Sequence, residues 1–75
     1  MSDALEASAR LYEEAAGELE RALEHCRVAA EHFRNREVPR GTAHAWAVRG
    51  HLLNAGARLD EQACEHAAHS VPRAD

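Results

Sequence analysis

Apolar residues recur at helical spacing through the first half of the chain. One series repeats every seven residues, and small residues three and four positions further on widen it into a stripe. The series is Leu5, Tyr12, Leu19, Cys26 and Phe33, and alanines such as Ala15, Ala22 and Ala29 fill the stripe. Spacings of three, four and seven place side chains on one face of an α-helix. The pattern predicts an amphipathic helix from about residue 3 to residue 35.

The pattern breaks over residues 36–41 and then resumes. Pro39 lacks the N–H that a helix interior needs and disfavours helical geometry in the residue before it, so the first helix must end there. Thr42 has the side chain of an N-cap residue, and a second apolar stripe follows it. That stripe consists of Ala45, Val48, Leu52, Ala55, Leu59 and Ala63. A second helix is predicted from about residue 42 to residue 70, where Val71 and Pro72 end it.

A short loop between two long helices favours an antiparallel hairpin. We therefore predict an all-α fold in which residues 1–75 form a single helical-hairpin domain. A chain of 75 residues buries only about 60% of its unfolded surface, and alanine supplies much of its apolar content. We expect the hairpin to complete its core by pairing, either with a second copy in a four-helix bundle or with another helical protein.

Composition and charge narrow the range of partners. The formal net charge is −4, and all nine basic residues are arginine. Without a basic patch the chain lacks the phosphate-binding surface on which nucleic-acid binders depend, so we expect no nucleic-acid partner. No apolar stretch approaches the roughly 20 residues that span a bilayer, and the N-terminus lacks a signal-peptide profile. We therefore expect no membrane partner and a cytoplasmic location.

The cysteines and the helical glycines suggest structural roles. Cys26 and Cys64 are too few for a disulfide framework, and cytosolic thiols are normally reduced. We predict two free thiols that serve as small buried apolar residues. Gly50 and Gly56 lie inside the second helix, where glycine costs about 1 kcal/mol relative to alanine. Close approach of another helix is the predicted reason for them.

Counting heptads from Leu5 and from Ala45, each taken as position a, places four histidines beside the seam between the helices. These are His25, His32, His44 and His51. If the turn is centred on Val38, residues whose numbers sum to 76 face each other. His25 then faces His51, and His32 faces His44. The same register pairs Glu18 with Arg58, and their opposite charges agree with it.

Facing histidines suggest a metal or haem site. Neutral imidazole nitrogens bind zinc, copper, nickel and iron, and helical bundles build such sites from facing side chains. Each predicted pair supplies only two ligands, so a second copy would have to complete a tetrahedral metal site, whereas one pair could hold a haem through its two axial positions. The alternative is that a GC-rich coding bias enriches histidine and that these four residues bind nothing.

A second cluster lies near the end of the second helix and consists of Cys64, Glu65, His66 and His69. Residues three and four apart are neighbours on a helix, so the cluster could clip a metal ion. The favoured alternative is that a histidine near a helix C-terminus interacts with the backbone dipole.

Trp46 and Leu53 lie seven residues apart and outside the predicted seam. Large rigid aromatic side chains anchor protein interfaces, so we predict that both residues belong to one. The alternative is a shifted register that places Trp46 in the core.

No nucleophile and base are placed together, because Cys26 and His25 are adjacent in sequence and point to different helix faces. We predict no enzymatic activity. The predicted function is a small helical protein-protein interaction module or accessory subunit, as a homo-oligomer. The alternative is a metal- or haem-binding bundle that uses the four seam histidines.

Overall fold

Two long helices make up nearly all of the computed structural model, which describes residues 2–70. Helix α1 spans Ser2–Arg34 and helix α2 spans Val38–Ala68. No strand occurs within the described residues. The predicted all-α class is confirmed, and the predicted bounds of the first helix are correct to within one residue. The residues predicted to end the second helix, Val71 and Pro72, lie outside the described part of the chain.

The turn between the helices is shorter than predicted and contains residues 35–37. Arg36 has a φ of 62°, which is a left-handed conformation. Its N–H donates to the carbonyl of Phe33 at 3.0 Å, and the N–H of Glu37 donates to the carbonyl of His32 at 2.8 Å. These two bonds form a Schellman motif, which ends a helix by satisfying its last carbonyl groups.

Helix α2 begins four residues earlier than predicted. Pro39 lies in its first turn, where the N–H that proline lacks would have no helical partner in any case. The N–H of Gly41 donates to the carbonyl of Glu37 at 2.9 Å, so Thr42 lies inside the helix and is not its N-cap. The prediction treated Pro39 as a helix breaker, whereas proline breaks a helix only in its interior.

Two polar contacts define an antiparallel register. The Arg58 Nε–H donates to Glu14 Oε1 at 2.9 Å. The side-chain amide of Asn54 donates to Glu18 Oε1 at 3.5 Å. Facing residues therefore have numbers that sum to 72. The predicted sum of 76 is wrong because the turn is centred two residues earlier, on Arg36, and the predicted pairing of Glu18 with Arg58 is wrong for the same reason.

Small residues fill the seam between the helices. The buried side chains are Ala15, Ala22, Ala29 and Ala55, with Gly41 buried beside the turn. Polar side chains at half-buried positions alternate with these alanines along the seam. The prediction that the series containing Leu5 and Leu19 faces the other helix is wrong, since both are exposed. Helices that approach closely along alanine leave little space on the line of contact for leucine. Six of the seven leucines are exposed, and Leu11, towards the open end of the hairpin, is half-buried.

The predictions about the cysteines and the helical glycines are wrong in part. Cys26 and Cys64 are free thiols, as predicted, but both are exposed rather than buried. A Cβ atom added at Gly50 or Gly56 would meet nothing within 4 Å, so close approach inside the hairpin does not explain either glycine. Gly41 is the position that requires glycine, because a Cβ atom there would lie 2.8 Å from the Phe33 ring.

Candidate functional site

Four histidine side chains follow one another along the seam, with a glutamate at each end. We define the histidine ladder as Glu18, His51, His25, His44, His32 and Glu37, in their order along the hairpin axis. Its members come alternately from α1 and α2 until Glu37, which lies in the turn. All six side chains are half-buried. The ladder is therefore the polar part of the seam that joins the two helices.

Helix geometry explains the spacing of the four rings. The centroid distances are 5.3 Å from His51 to His25, 5.0 Å from His25 to His44 and 5.4 Å from His44 to His32. On each helix the two histidines are seven residues apart, or roughly 10 Å along the axis. A ring from the opposite helix that lies midway between them is therefore about 5 Å from each. The two outer ring pairs are stacked and the central pair is tilted.

The central pair is joined by a hydrogen bond. The Nδ1 atoms of His25 and His44 are 2.8 Å apart. One of these nitrogens must carry the proton and donate it while the other accepts. The contact therefore needs at least one neutral ring, since two protonated rings would present two donors to each other.

At the end of the ladder away from the turn, the Nδ1–H of His51 donates to Glu18 Oε1 at 2.7 Å. This hydrogen bond is the main cause that lowers the pKa of Glu18. Desolvation opposes it, and hydrogen bonds from Arg21 and Asn54 lower the pKa further. Glu18 is therefore held ionised as an acceptor for donors from both helices.

At the turn, the Nδ1–H of His32 donates to Glu37 Oε1 at 2.9 Å. Arg40 donates to the other carboxylate oxygen at 3.1 Å. The hydrogen bond from His32 is the main cause that lowers the pKa of Glu37, against desolvation, and the charge of Arg40 adds to it. The hydrogen bond between His32 and Glu37 connects the two residues that the Schellman motif brings together, so it reinforces the end of α1.

The ladder confirms part of the predicted histidine arrangement. The two predicted pairs, His25 with His51 and His32 with His44, are stacked neighbours. The shortest contact joins His25 to His44, which the sequence prediction missed. The register differs by four residues from the predicted one, so each inner histidine lies between two rings of the opposite helix. The equal seven-residue spacing of the histidines on both helices is the signal for such interleaving.

The geometry limits what a single hairpin offers a metal ion. Within residues 2–70, no group of three or more histidine, cysteine, aspartate and glutamate side chains is placed to hold one. His25 and His44 would supply two imidazoles, while His32 and His51 each direct Nδ1 to a carboxylate. In the second predicted cluster, His69 Nε2 contacts Glu65 Oε1 at 3.1 Å on the exposed side of α2.

Large apolar side chains lie on the surface of the hairpin, outside the seam. Six of them define what we call the apolar face. These are Leu5, Tyr12, Leu19, Leu23, Leu52 and Leu59, all exposed. Leu19 directly follows Glu18 of the seam, and Leu52 directly follows His51. Consecutive residues are rotated by 100° about the helix axis. Because the helices are antiparallel, the same rotation brings the series of both helices to one side of the hairpin.

Trp46 and Leu53 are exposed, as the sequence predicts, with 72% and 61% of their surfaces accessible. Each directly follows a member of the α2 series, Ala45 or Leu52. They therefore lie at the outer edge of the apolar face rather than at its centre.

Two open clefts lie at the end of the hairpin away from the turn. One is lined by Ala7, Arg10, Leu11, Glu14, Arg58 and Glu61, and the other shares Ala7, Leu11 and Glu61 with it. Neither contains a cysteine or a histidine.

No protein-family model, curated protein or solved structure matches this chain. Within residues 2–70, neither helix has a stretch apolar enough to cross a membrane. The cytoplasmic location and the lack of enzymatic activity stay predictions from the sequence.

Proposed function

We propose that this protein is a small helical protein-protein interaction module that pairs with a second copy through the apolar face to form a four-helix bundle. The observation that carries the proposal is the distribution of side-chain size. Alanines occupy most of the seam, whereas six of the seven leucines and Tyr12 are exposed. A contiguous exposed apolar surface of this kind is the usual mark of an interaction site.

The amount of exposed surface also supports pairing. The chain exposes 5956 Å², whereas a compact monomer of its mass, 8.3 kDa, exposes about 4,600 Å². The excess, about 1,400 Å², is more than the roughly 800 Å² that each partner buries in a standard interface. The Cα radius of gyration is 17.3 Å, compared with about 11 Å for a compact domain of this length. A second layer of helices would bury the excess surface and make the assembly less elongated in proportion to its mass.

Light scattering tests the proposal. We expect twice the 8.3 kDa chain mass at micromolar concentration. Leu52→Glu places a charge at the centre of the apolar face and should give monomers that keep their helical circular dichroism. Trp46→Glu, at the edge, should weaken association less. Ala57→Glu, on the exposed side of α2, is the matched control and should leave the dimer intact. A stable wild-type monomer would refute the proposal, and would leave an accessory subunit for another helical protein as its replacement.

The second candidate function is metal or haem binding by His25, His32, His44 and His51. The close contact between His25 and His44 favours it. Protein purified without a histidine tag should then contain a transition metal or show a haem absorption band. Added zinc, copper or nickel should also raise the melting temperature, because a ligand that binds only the folded state stabilises it. The double change His25→Ala with His44→Ala should remove that gain.

A further inference from the structure

We propose that the two copies pair about a twofold axis that is perpendicular to the helices and passes through Leu19 and Leu52, with the two turns at opposite ends of the bundle. The inference rests on the proposed pairing through the apolar face, and it specifies the orientation of the second copy. The alternative twofold axis runs along the bundle and places both turns at one end.

The apolar face has a single centre that both helices share. On α1, Leu19 is the middle member of the series that runs from Leu5 to Phe33. On α2, Leu52 is the middle member between Ala45 and Leu59. Facing residues of the hairpin have numbers that sum to 72, so Leu19 and Leu52 lie at the same height to within one residue. One perpendicular axis can therefore pass through the centres of both series.

Side-chain sizes are complementary about this axis. Tyr12 and Leu59 lie seven residues to one side of the centre, and Cys26 and Ala45 lie seven residues to the other. The perpendicular axis therefore places a large pair of side chains over a small pair of the second copy. With the axis along the bundle, the large pair would face the large pair of the second copy, and the small pair would face the small pair. Crowding at one level and a void at the other both destabilise a core.

A row of charges beside the apolar face favours the same orientation. Its members directly follow the α1 series and are Glu6, Glu13, Glu20, Arg27 and Arg34, all exposed. The row is acidic in the first half of α1 and basic in the second. Among the ion pairs of residues 2–70, none involves a member of this row.

The perpendicular axis places α1 antiparallel to α1 of the second copy. Glu13 then lies opposite Arg27 of the second copy and Glu6 opposite its Arg34, and symmetry repeats both pairs. Only Glu20 meets its own charge. With the axis along the bundle, α1 would lie against α2 of the second copy, and Glu13 would lie beside Asp60, a like-charge pair. Arg27 would then meet Trp46, which offers it a weaker cation–π contact.

Cysteine cross-linking distinguishes the two orientations. In a Cys26→Ser, Cys64→Ser background, Glu20→Cys introduces a single thiol beside the perpendicular axis. A bis-maleimide with a spacer of about 10 Å, the distance between neighbouring helix axes, should join the two thiols into a covalent dimer. With the axis along the bundle, the two thiols would lie on opposite edges, roughly 20 Å or more apart, and this spacer would not join them.

Glu13→Cys in the same background is the matched control. Its two thiols would lie about 20 Å apart along the perpendicular-axis dimer, so it should not cross-link alone. Mixed with Arg27→Cys it should form the mixed dimer. Light scattering before cross-linking separates the possible failures. A dimer in which Glu20→Cys does not cross-link overturns the orientation alone, whereas a monomer overturns the proposed function as well.

Charge reversal provides an independent readout that needs no thiol. Glu13→Arg or Arg27→Glu alone should raise the dimer dissociation constant roughly three- to thirtyfold at low salt, because each change removes two symmetry-related ion pairs. The double variant should recover most of the lost affinity, since it restores both pairs with the charges exchanged. Additive losses in the double variant would overturn the perpendicular axis.

Discussion

His25 and His44 belong to different helices, and their Nδ1 atoms lie 2.8 Å apart in the middle of the hairpin seam. Each nitrogen is the hydrogen-bond partner of the other, and both side chains are half-buried. A change in one residue therefore alters what the other contributes to the stability of the hairpin.

The first prediction concerns this coupling. His25→Ala and His44→Ala should each lower the free energy of unfolding by about 1 kcal/mol, because each leaves a half-buried nitrogen without its partner. The loss of stability in the double variant should be smaller than the sum of the two single losses by at least about 0.5 kcal/mol. Urea unfolding at one fixed protein concentration measures the cycle, and His66→Ala, an exposed position in the last turn of α2, is the control. Strictly additive losses would show that the contact contributes nothing.

The second prediction concerns pH. The pKa of Glu18 is lower in the folded protein than its ordinary value of 4.5. The unfolded chain therefore takes up a proton first as the pH falls. The stabilising contribution of Glu18 is fully present above about pH 4.5 and is lost as the pH falls through the lower folded pKa. Glu18→Gln should make stability less dependent on pH below 4.5, whereas Glu24→Gln, an exposed control, should not. Unfolding curves recorded between about pH 3 and about pH 6, on either side of the ordinary glutamate pKa, make the comparison.

The third prediction concerns the turn. Arg36 adopts a left-handed conformation with φ of 62°, which costs a residue other than glycine roughly 1–2 kcal/mol. Arg36→Gly should therefore raise the free energy of unfolding by about 0.5–1 kcal/mol, because glycine is the preferred residue at this position of a Schellman motif. Glu31→Gly, five residues earlier and inside α1, should lower it by about 1 kcal/mol. Equal effects at the two positions would be inconsistent with the Schellman geometry.

The fourth prediction contrasts two glycines of α2. Gly41→Ala should lower the free energy of unfolding by about 1–3 kcal/mol, because the new Cβ atom would lie 2.8 Å from the Phe33 ring. Gly50→Ala should raise it by about 0.5–1 kcal/mol, since a Cβ atom there meets nothing within 4 Å. The sign of the difference, measured by urea unfolding, decides whether Phe33 packs on the start of α2.

The fifth prediction concerns the thiols. The proposed dimer covers Cys26, which belongs to the α1 series, and leaves Cys64 outside. Cys64 should therefore react faster with a thiol reagent in the native protein. In Leu52→Glu, which is expected to be monomeric, the two rates should become similar. Equal rates in the wild-type dimer would place Cys26 outside the interface.

An intrachain disulfide would contradict the hairpin register itself. Facing residues have numbers that sum to 72, so Cys64 lies at the height of residue 8, and Cys26 is roughly 27 Å away along the axis. A disulfide needs Cα atoms within about 7 Å. Mass spectrometry of the oxidised, unreduced protein makes this check.

The sequence by itself determined the two helices, because apolar spacing of three, four and seven is a local property of each segment. It also determined that the histidines of α1 and α2 would meet, since each pair is separated by the same two helical turns and a hairpin brings equal spacings together. The outward position of Trp46 followed from the same counting. These predictions needed no knowledge of how the helices turn about their own axes.

Only the tertiary structure decided which part of each apolar stripe faces the other helix. The stripe on α1 contains both leucines and alanines, and periodicity cannot choose between Leu19 and Ala15 as the residue in contact. The close approach of the helices selects alanine, which displaces the leucines to the apolar face. The turn decided the register, because the left-handed Arg36 and the position of Pro39 in the first turn of α2 place its centre two residues before the predicted one. Both outcomes depend on packing and hydrogen bonds between segments, whereas periodicity describes one segment at a time.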